Sequence, residues 1–172
     1  MKHLLAILCT ILLPAAAWSA ELPPADSAVV VQGNNAFAVQ LYGQLRNQSG
    51  NLFFSPESIS TALAMTYAGA RGDTATEMAN VLHLTLPPEK LHPAMAMLLR
   101  DRNATHEGYE LRVADALWGQ QGYPFLDSFI KTSKDNYGAG LNPVDFKGAT
   151  EAARQTINAW VEHFHFSTVK GD

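Results

Sequence analysis

Ser128 and Lys131 are the residue pair in this chain best placed for covalent chemistry, because they are spaced as S-x-x-K. In a helix, this spacing brings the lysine amine within reach of the serine hydroxyl, an arrangement that arms serine acylation in one class of enzymes. A motif with two fixed positions also arises by chance, and no S-D-N or K-T-G partner follows it. A serine acyl enzyme is therefore only the third interpretation of this sequence, and no residue is assigned a catalytic role.

His163 and His165 form a second candidate pair, near the end of the chain. In a strand, both imidazoles would share a face and could bind a metal ion, but no cysteine and no well-placed third ligand accompanies them. A frayed tail is the simpler interpretation of this segment. We therefore expect neither a metal ion nor a cofactor.

The composition is that of a globular protein that does not bind nucleic acid. The chain has 172 residues, of which 47% are hydrophobic, and its formal net charge is −4. No run of lysines and arginines offsets this negative charge, so nucleic acid is an unsuitable partner.

Residues 1–20 have the pattern of a secretory signal peptide, in which an apolar run from Leu4 to Leu13 precedes an alanine cluster. This run is too short to cross a bilayer, so we expect no membrane segment. The protein is predicted to be secreted, either to the extracellular space or, in a bacterium, to the periplasm. Cys9 is the only cysteine in the sequence and lies inside the run, so the mature chain would contain no disulfide. Residues 21–28 are predicted to form a flexible leader.

The stretch from Asn51 to Leu84 carries the clearest local structural signals. Leu52 to Phe54 is a short apolar run that predicts a buried strand. Ser55 can then cap a helix whose first position is Pro56. This helix is predicted to be central and buried, because it is apolar on most of its circumference. The positions at helical spacing are Ile59, Ala62, Leu63 and Thr66.

A second helix is predicted after Gly72, where Thr74 and Glu77 have the T-x-x-E spacing of a capping box. Around this centre, periodicity predicts further helices over residues 29–47, from Leu91 to about Arg102, over 125–137, and from about residue 150. Alternation predicts strands over 109–118 and 139–146. A helix joins these two strands, so they should be parallel.

The central stretch reads N-x-F-x-S-P-x-S-I-x-x-A-L-A-M, followed by G-A-x-G-x-T-x-x-E-M, and resembles the N-terminal signature of the serpin family. The resemblance runs from about Val29 to Glu162. It implies an α+β fold, the N-terminal half of a serpin, with several helices packed on a partial β-sheet. The residues that carry the family motif are Asn51, Phe53, Ser55, Pro56, Ser58, Thr74, Glu77, Trp118, Asn158 and Trp160.

Ser55 and Ser58 match the region of the family where the main sheet opens, and Asn158 matches a position on the helix that lies across that sheet. The ordinary interpretation assigns Ser55 as a helix cap, Ser58 as a buried hydroxyl and Asn158 as a solvent-facing residue. Both interpretations make these residues structural rather than catalytic.

The resemblance implies a serine-type endopeptidase inhibitor whose partners are serine proteases. In the family, a protease cleaves an exposed reactive loop and is trapped as an acyl-enzyme while the loop inserts into the sheet. Residues 29–172 are expected to be a partial domain that lacks this loop, so the chain by itself is not expected to inhibit. The alternative is a small secreted, helix-rich interaction module. An unpaired sheet edge would also favour self-association.

Overall fold

The computed structural model describes residues 25–109 and 111–166. These residues form six helices and two short strands, which confirms the predicted α+β class with several helices and a small partial sheet. In chain order the elements are α1 (Ala25–Leu45), α2 (Pro56–Tyr67), α3 (Gly72–Leu82), α4 (Pro88–Arg102), β1 (Leu117–Gln120), α5 (Asp127–Tyr137), β2 (Leu141–Val144) and α6 (Thr150–Phe166).

Helix α1 begins four residues before its predicted start, so residues 25–28 are helical and do not belong to a leader. Asp26 lies in the first turn, where a carboxylate interacts favourably with the helix dipole, and Ser27 is buried. The signal peptide predicted over 1–20 and the rest of the leader, 21–24, lie outside the described residues.

Helix α4 supplies the centre of the hydrophobic core. Leu91, Met95 and Leu99 recur every four residues and are all buried, so they form one continuous apolar face. This face packs against residues from α1, α2 and α5. The full core cluster contains Val30, Ala64, Met65, Leu91, Ala94, Met95, Leu99, Tyr137 and Ala139.

Helix α2 is less buried than its sequence predicts. Its buried residues are Ser60, Thr61, Ala64 and Met65, whereas Leu63 is 39% exposed. The prediction of burial around most of the helix is therefore wrong. Small side chains form the inner face, and a buried hydroxyl there requires a hydrogen-bond partner. The Ser60 hydroxyl has one, because it donates to Oδ1 of Asn34 on α1 at 2.6 Å.

The two strands pair in parallel, as predicted, with α5 as the connection between them. Leu117 pairs with Leu141 at one end of the ladder, and Gln120 pairs with Val144 at the other. Both strands are shorter than predicted. Residues 111–116, which were predicted to belong to the first strand, have no regular secondary structure. Strand pairing needs a hydrogen-bonded neighbour, and alternation of side chains alone does not supply one.

The predicted buried strand over Leu52–Phe54 is wrong. These residues are not in a strand, and Phe53 is 99% exposed. Within residues 25–109 and 111–166, β1 and β2 form the only sheet, so residues 52–54 have no strand beside them.

A turn held by Asp145 leads from β2 into α6. Its Oδ1 accepts hydrogen bonds from the side-chain amide of Gln120 and from the backbone amides of Lys147 and Gly148. These bonds lower the pKa of Asp145, with the Gln120 amide as the largest cause.

No helix in the described part of the chain is both long and apolar enough to cross a membrane.

Candidate functional site

Ser55, Pro56 and Ser58 are brought together at the start of α2. Ser55 has an extended backbone and accepts a hydrogen bond from the backbone amide of Ser58 at 3.3 Å, so the predicted cap is confirmed. The hydroxyl oxygens of Ser55 and Ser58 are 2.9 Å apart. Both serines are exposed, so the expectation that Ser58 is a buried hydroxyl is wrong.

Asn51 and Phe53 lie in the exposed segment before this cap, so the motif residues there extend away from the core. Thr74 and Glu77 are also exposed, on α3. The predicted capping box is wrong, because α3 begins at Gly72 and its N-cap residue, Arg71, forms no side-chain cap. Thr74 is already the third residue of the helix, three positions after the N-cap residue, so it cannot act as an N-cap.

Trp118 and Trp160 are the motif residues that join two elements. Their rings meet edge to face, with centroids 6.4 Å apart, and this contact places α6 against β1. Such an aromatic pair contributes specific geometry in addition to apolar burial. Asn158, two residues before Trp160, is exposed, in agreement with its solvent-facing interpretation.

The S-x-x-K pair does not form a catalytic arrangement. Lys131 makes an ion pair with Asp135, one turn further along α5, and no hydrogen bond joins it to Ser128. The ammonium group of Lys131 is therefore paired with Asp135 and not with the serine hydroxyl. The interpretation as a serine acyl enzyme is therefore wrong.

His163 and His165 lie in α6, which continues to Phe166, so the expectation of a frayed tail over these positions is wrong. The strand conformation that would place both imidazoles on one face is absent. Among the described residues, no group of three or more histidines, cysteines or acidic residues could hold a metal ion.

The main polar feature that sequence patterns did not reveal is a buried pair between α4 and α5. His92 Nδ1 lies 2.7 Å from the hydroxyl oxygen of Tyr137, and both side chains are about 6% exposed. Burial lowers the pKa of His92, which is therefore neutral at physiological pH. Burial and the nearby charge of Asp115 raise the pKa of Tyr137, so its hydroxyl keeps its proton.

Nδ1 of His92 and the Tyr137 hydroxyl share one hydrogen bond, in which the tautomer of the imidazole decides which group donates. Asp115 is half-buried, and its Oδ2 is buried without a hydrogen-bond partner. Burial raises the pKa of this carboxyl. Sequence inspection places these residues on separate elements and contains no signal that they meet.

A family model described as Serpin (serine protease inhibitor) matches residues 32–167. The match covers most of the chain. The chain belongs to the serpin family. The predicted resemblance is thereby confirmed, and the match continues beyond Glu162 to residue 167. The family is one of protease inhibitors, so the expectation that the chain is not an enzyme is also confirmed.

Known serpins are similar to this chain over its greater part. It is 44% identical over 131 residues to leukocyte elastase inhibitor from Bos taurus, a match that covers 75% of this chain and 34% of that protein. It is 38% identical over 137 residues to an uncharacterized serpin-like protein from Methanosarcina acetivorans, covering 77% of this chain and 32% of that protein. The chain thus spans about a third of the length of these relatives.

Solved serpin structures have the same fold over the matched region. Cleaved kallistatin in complex with heparin matches with a TM-score of 0.75 and 28% identity, covering 83% of this chain and 43% of that chain. Ovalbumin from emu (Dromaius novaehollandiae) matches with a TM-score of 0.72 and 27% identity, covering 78% of this chain and 38% of that chain. These matches confirm the predicted fold, the N-terminal part of a serpin.

Proposed function

We propose that this chain supplies the N-terminal part of a serine-type endopeptidase inhibitor and that inhibition is an activity of the complete serpin fold. The observation that carries the proposal is the 44% identity to leukocyte elastase inhibitor over 131 residues. The name of that relative points to elastase-like serine proteases as the partner class.

The described residues have a structural part in this function. The Trp118–Trp160 contact holds α6 against the parallel strands, and the Ser55 cap fixes the start of α2. In the serpin mechanism the sheet must open to accept the reactive loop, so the elements that cover the sheet control that opening. We assign the described residues to positioning and to no catalytic step.

The chain by itself is proposed to be a protease substrate. By resemblance, the reactive loop lies outside residues 29–172, so an attacking protease would find no loop that can insert after cleavage. Incubation of the 172-residue chain with elastase-like, chymotrypsin-like and trypsin-like proteases should give digestion without a covalent product. An SDS-resistant band at the summed mass, lost when the serine nucleophile of the protease is mutated, would contradict this part of the proposal.

A chimera tests whether the region supports inhibition. Residues 32–167 would replace the matching segment of bovine leukocyte elastase inhibitor, which supplies the remaining two thirds of the fold. We expect a folded chimera to form an SDS-resistant complex with elastase. A chimera that unfolds cooperatively but is only digested would show that this region does not support the inhibitory mechanism.

We also propose that the protein is secreted, with its signal peptide in residues 1–20. The support is the apolar run from Leu4 to Leu13 and the alanine cluster behind it. Expression with the native N-terminus should release a shortened chain to the medium or periplasm, and intact-mass measurement should locate the cleavage site. Retention of Met1 on cytosolic protein would contradict secretion.

A further inference from the structure

Helix α6 is held to the rest of the described structure by a narrow apolar stripe. Of residues 150–163, whose side chains the structure describes, only Ala153 is buried, and Ile157 and Trp160 are half-buried. The other side chains in this range are exposed. An element with so few buried contacts can separate from its neighbours while the rest of the chain stays folded. The contacts at the N-terminal end of α6 therefore matter for its position.

Gln120, the last residue of β1, joins that strand to the Asp145 turn (residues 145–149) that leads into α6. Its Nε2 donates to Oδ1 of Asp145 at 3.0 Å, and its Oε1 accepts the backbone amide of Lys147 at 3.1 Å. Gln120 and Asp145 are 25 positions apart, so these bonds join two elements. One side chain thus uses both its donor and its acceptor to hold the turn.

The carboxylate of Asp145 is fixed within the same turn. Besides the Gln120 bond, its Oδ1 accepts the backbone amides of Lys147 at 3.2 Å and Gly148 at 2.8 Å. The Asp145 carbonyl oxygen accepts the amide of Ala149 at 3.1 Å. A Cβ atom at Gly148 would collide with Oδ2 of the carboxylate, so the turn packs closely around it. The acceptor that Gln120 meets is therefore held in one place.

The turn and the aromatic contact attach α6 to one face of β1. An aspartate that accepts an amide two residues later forms an Asx-turn, which needs no residue from another element. The Gln120 bond is additional to that turn. Trp118, which contacts Trp160, lies two residues before Gln120, so both side chains are on the same face of the strand. Helix α6 is thus attached there at two places, one apolar and one polar.

We propose that Gln120 is a positioning residue for the opening of the sheet, because its contact with Asp145 sets how often α6 separates from β1. The inference rests on the proposed function, in which the sheet opens to accept the reactive loop. Helix α6 lies against β1 and restrains that strand when the sheet opens. Loss of the Gln120 contact should therefore let α6 separate more often and let the loop insert faster.

Hydrogen exchange on the 172-residue chain tests the contact itself. Gln120→Glu removes the Nε2 donor and places a second carboxylate beside Asp145. Amides in α6 should then exchange about threefold to tenfold faster, as expected for the loss of one hydrogen bond. Amides in α4, at the centre of the core, should keep their rates. Equal acceleration in α4 and α6 would show that Gln120 acts on the stability of the whole chain and would overturn the proposal.

Three further variants separate hydrogen bonding from charge. Gln121→Glu makes the same change of charge at the next position, where the side chain is exposed, and should leave exchange in α6 unchanged. Asp145→Asn keeps an oxygen that can accept the same three hydrogen bonds, so α6 should stay protected, whereas Asp145→Ala should lose protection. The proposal is wrong if Gln121→Glu matches Gln120→Glu, or if Asp145→Asn exchanges as fast as Asp145→Ala.

The chimera with bovine leukocyte elastase inhibitor tests the consequence for inhibition, because residues 32–167 include both Gln120 and Asp145. At saturating elastase, Gln120→Glu should raise the limiting first-order rate of formation of the SDS-resistant complex by about threefold to tenfold. Damage to the fold would lower the yield of complex and would not speed its formation. An unchanged or lower rate would overturn the role of Gln120 in sheet opening.

The two measurements also separate this inference from the proposed function. If the unsubstituted chimera folds but forms no complex, the proposed function is wrong, and so is the predicted effect on insertion. Exchange in α6 then still decides whether Gln120 holds the helix. If the unsubstituted chimera inhibits while Gln120→Glu leaves exchange in α6 unchanged, the proposed function stands and this inference is wrong.

Discussion

His92 Nδ1 lies 2.7 Å from the hydroxyl oxygen of Tyr137, and this hydrogen bond joins α4 to α5 inside the core. The two rings meet edge to face with centroids 5.8 Å apart, and Tyr67 on α2 approaches the same imidazole at 6.3 Å. Three helices therefore meet at one polar side chain. A buried hydrogen bond of this kind fixes which faces of the helices meet, because any other arrangement leaves both polar groups unpaired.

Tyr137→Phe should lower the free energy of unfolding by about 1–3 kcal/mol, because it leaves Nδ1 of His92 buried without a partner. Urea unfolding followed by circular dichroism measures this change. Tyr42→Phe is the control, since Tyr42 is 53% exposed and loses no buried partner. Its effect should remain within about 0.5 kcal/mol. Equal stability of the two variants would show that the hydrogen bond contributes nothing.

The stability of the chain should fall as the pH is lowered below 6.5, the ordinary pKa of histidine. The folded chain keeps His92 neutral through burial, whereas the unfolded chain binds a proton near pH 6.5. The contribution of His92 is therefore fully present above pH 6.5 and is lost as the pH falls toward the lower folded pKa. Urea unfolding at a series of pH values measures the slope.

Other groups with shifted pKa values affect the stability of the chain in different pH ranges. The raised pKa of Asp115 favours the folded chain as the pH falls toward 3.8, so it opposes His92 only at the acid end. Asp145 and Glu151 have lowered pKa values and lose their contributions below about 3.8 and 4.5. His92→Gln should therefore flatten the slope just below pH 6.5. The control variant His83→Gln should keep this slope of stability against pH. Loss of the slope in the control would show that His92 is not its source.

Gly33→Ala should destabilise the chain, whereas Gly43→Ala on the same helix should stabilise it. A Cβ atom at Gly33 would lie 2.6 Å from the backbone oxygen of His83, so α1 and α3 would have to separate. We expect a loss of about 1–3 kcal/mol. At Gly43 no atom lies within 4 Å of the added carbon, and the helix gains about 0.5–1 kcal/mol. Thermal unfolding of both variants measures the difference, and a shift of the same sign in both would contradict the close approach.

The helices were the predictable part of this fold, because their signals are local. Ser55 and Pro56 specify the start of α2, and Gly138, with φ of 67°, ends α5 in the left-handed conformation that glycine adopts without strain. The capping box at Thr74 failed because α3 begins at Gly72, which places Thr74 inside the helix. A T-x-x-E pattern also occurs inside helices, where both side chains face solvent.

The strands and the polar sites could not be predicted as well, because they depend on distant neighbours. Residues 109–116 alternate as a strand does, yet in the described part of the chain the parallel ladder with β2 is formed by residues 117–120. His92 and Tyr137 are separated by 45 residues and meet only through the packing of α4 on α5.

The last prediction concerns the outer edges of the two-stranded sheet. Within the described residues each strand has one neighbour, so β1 and β2 each have an outer edge whose backbone groups lack a partner strand. Such edges pair readily with another chain, although Pro143 removes one donor from β2. The purified chain should therefore self-associate. Sedimentation velocity over a range of protein concentrations measures this.

Amide hydrogen exchange distinguishes edge pairing from contact between exposed apolar side chains. If the strands pair, amides in Leu117–Gln120 or Leu141–Val144 should exchange more slowly as protein concentration rises, because a second chain then occupies their donors. Phe53→Ser is the matched control, since Phe53 is 99% exposed and distant in sequence from both strands. Its removal should leave association intact. A monomer at all concentrations, or association abolished by Phe53→Ser with unchanged strand exchange, would contradict pairing through the sheet edge.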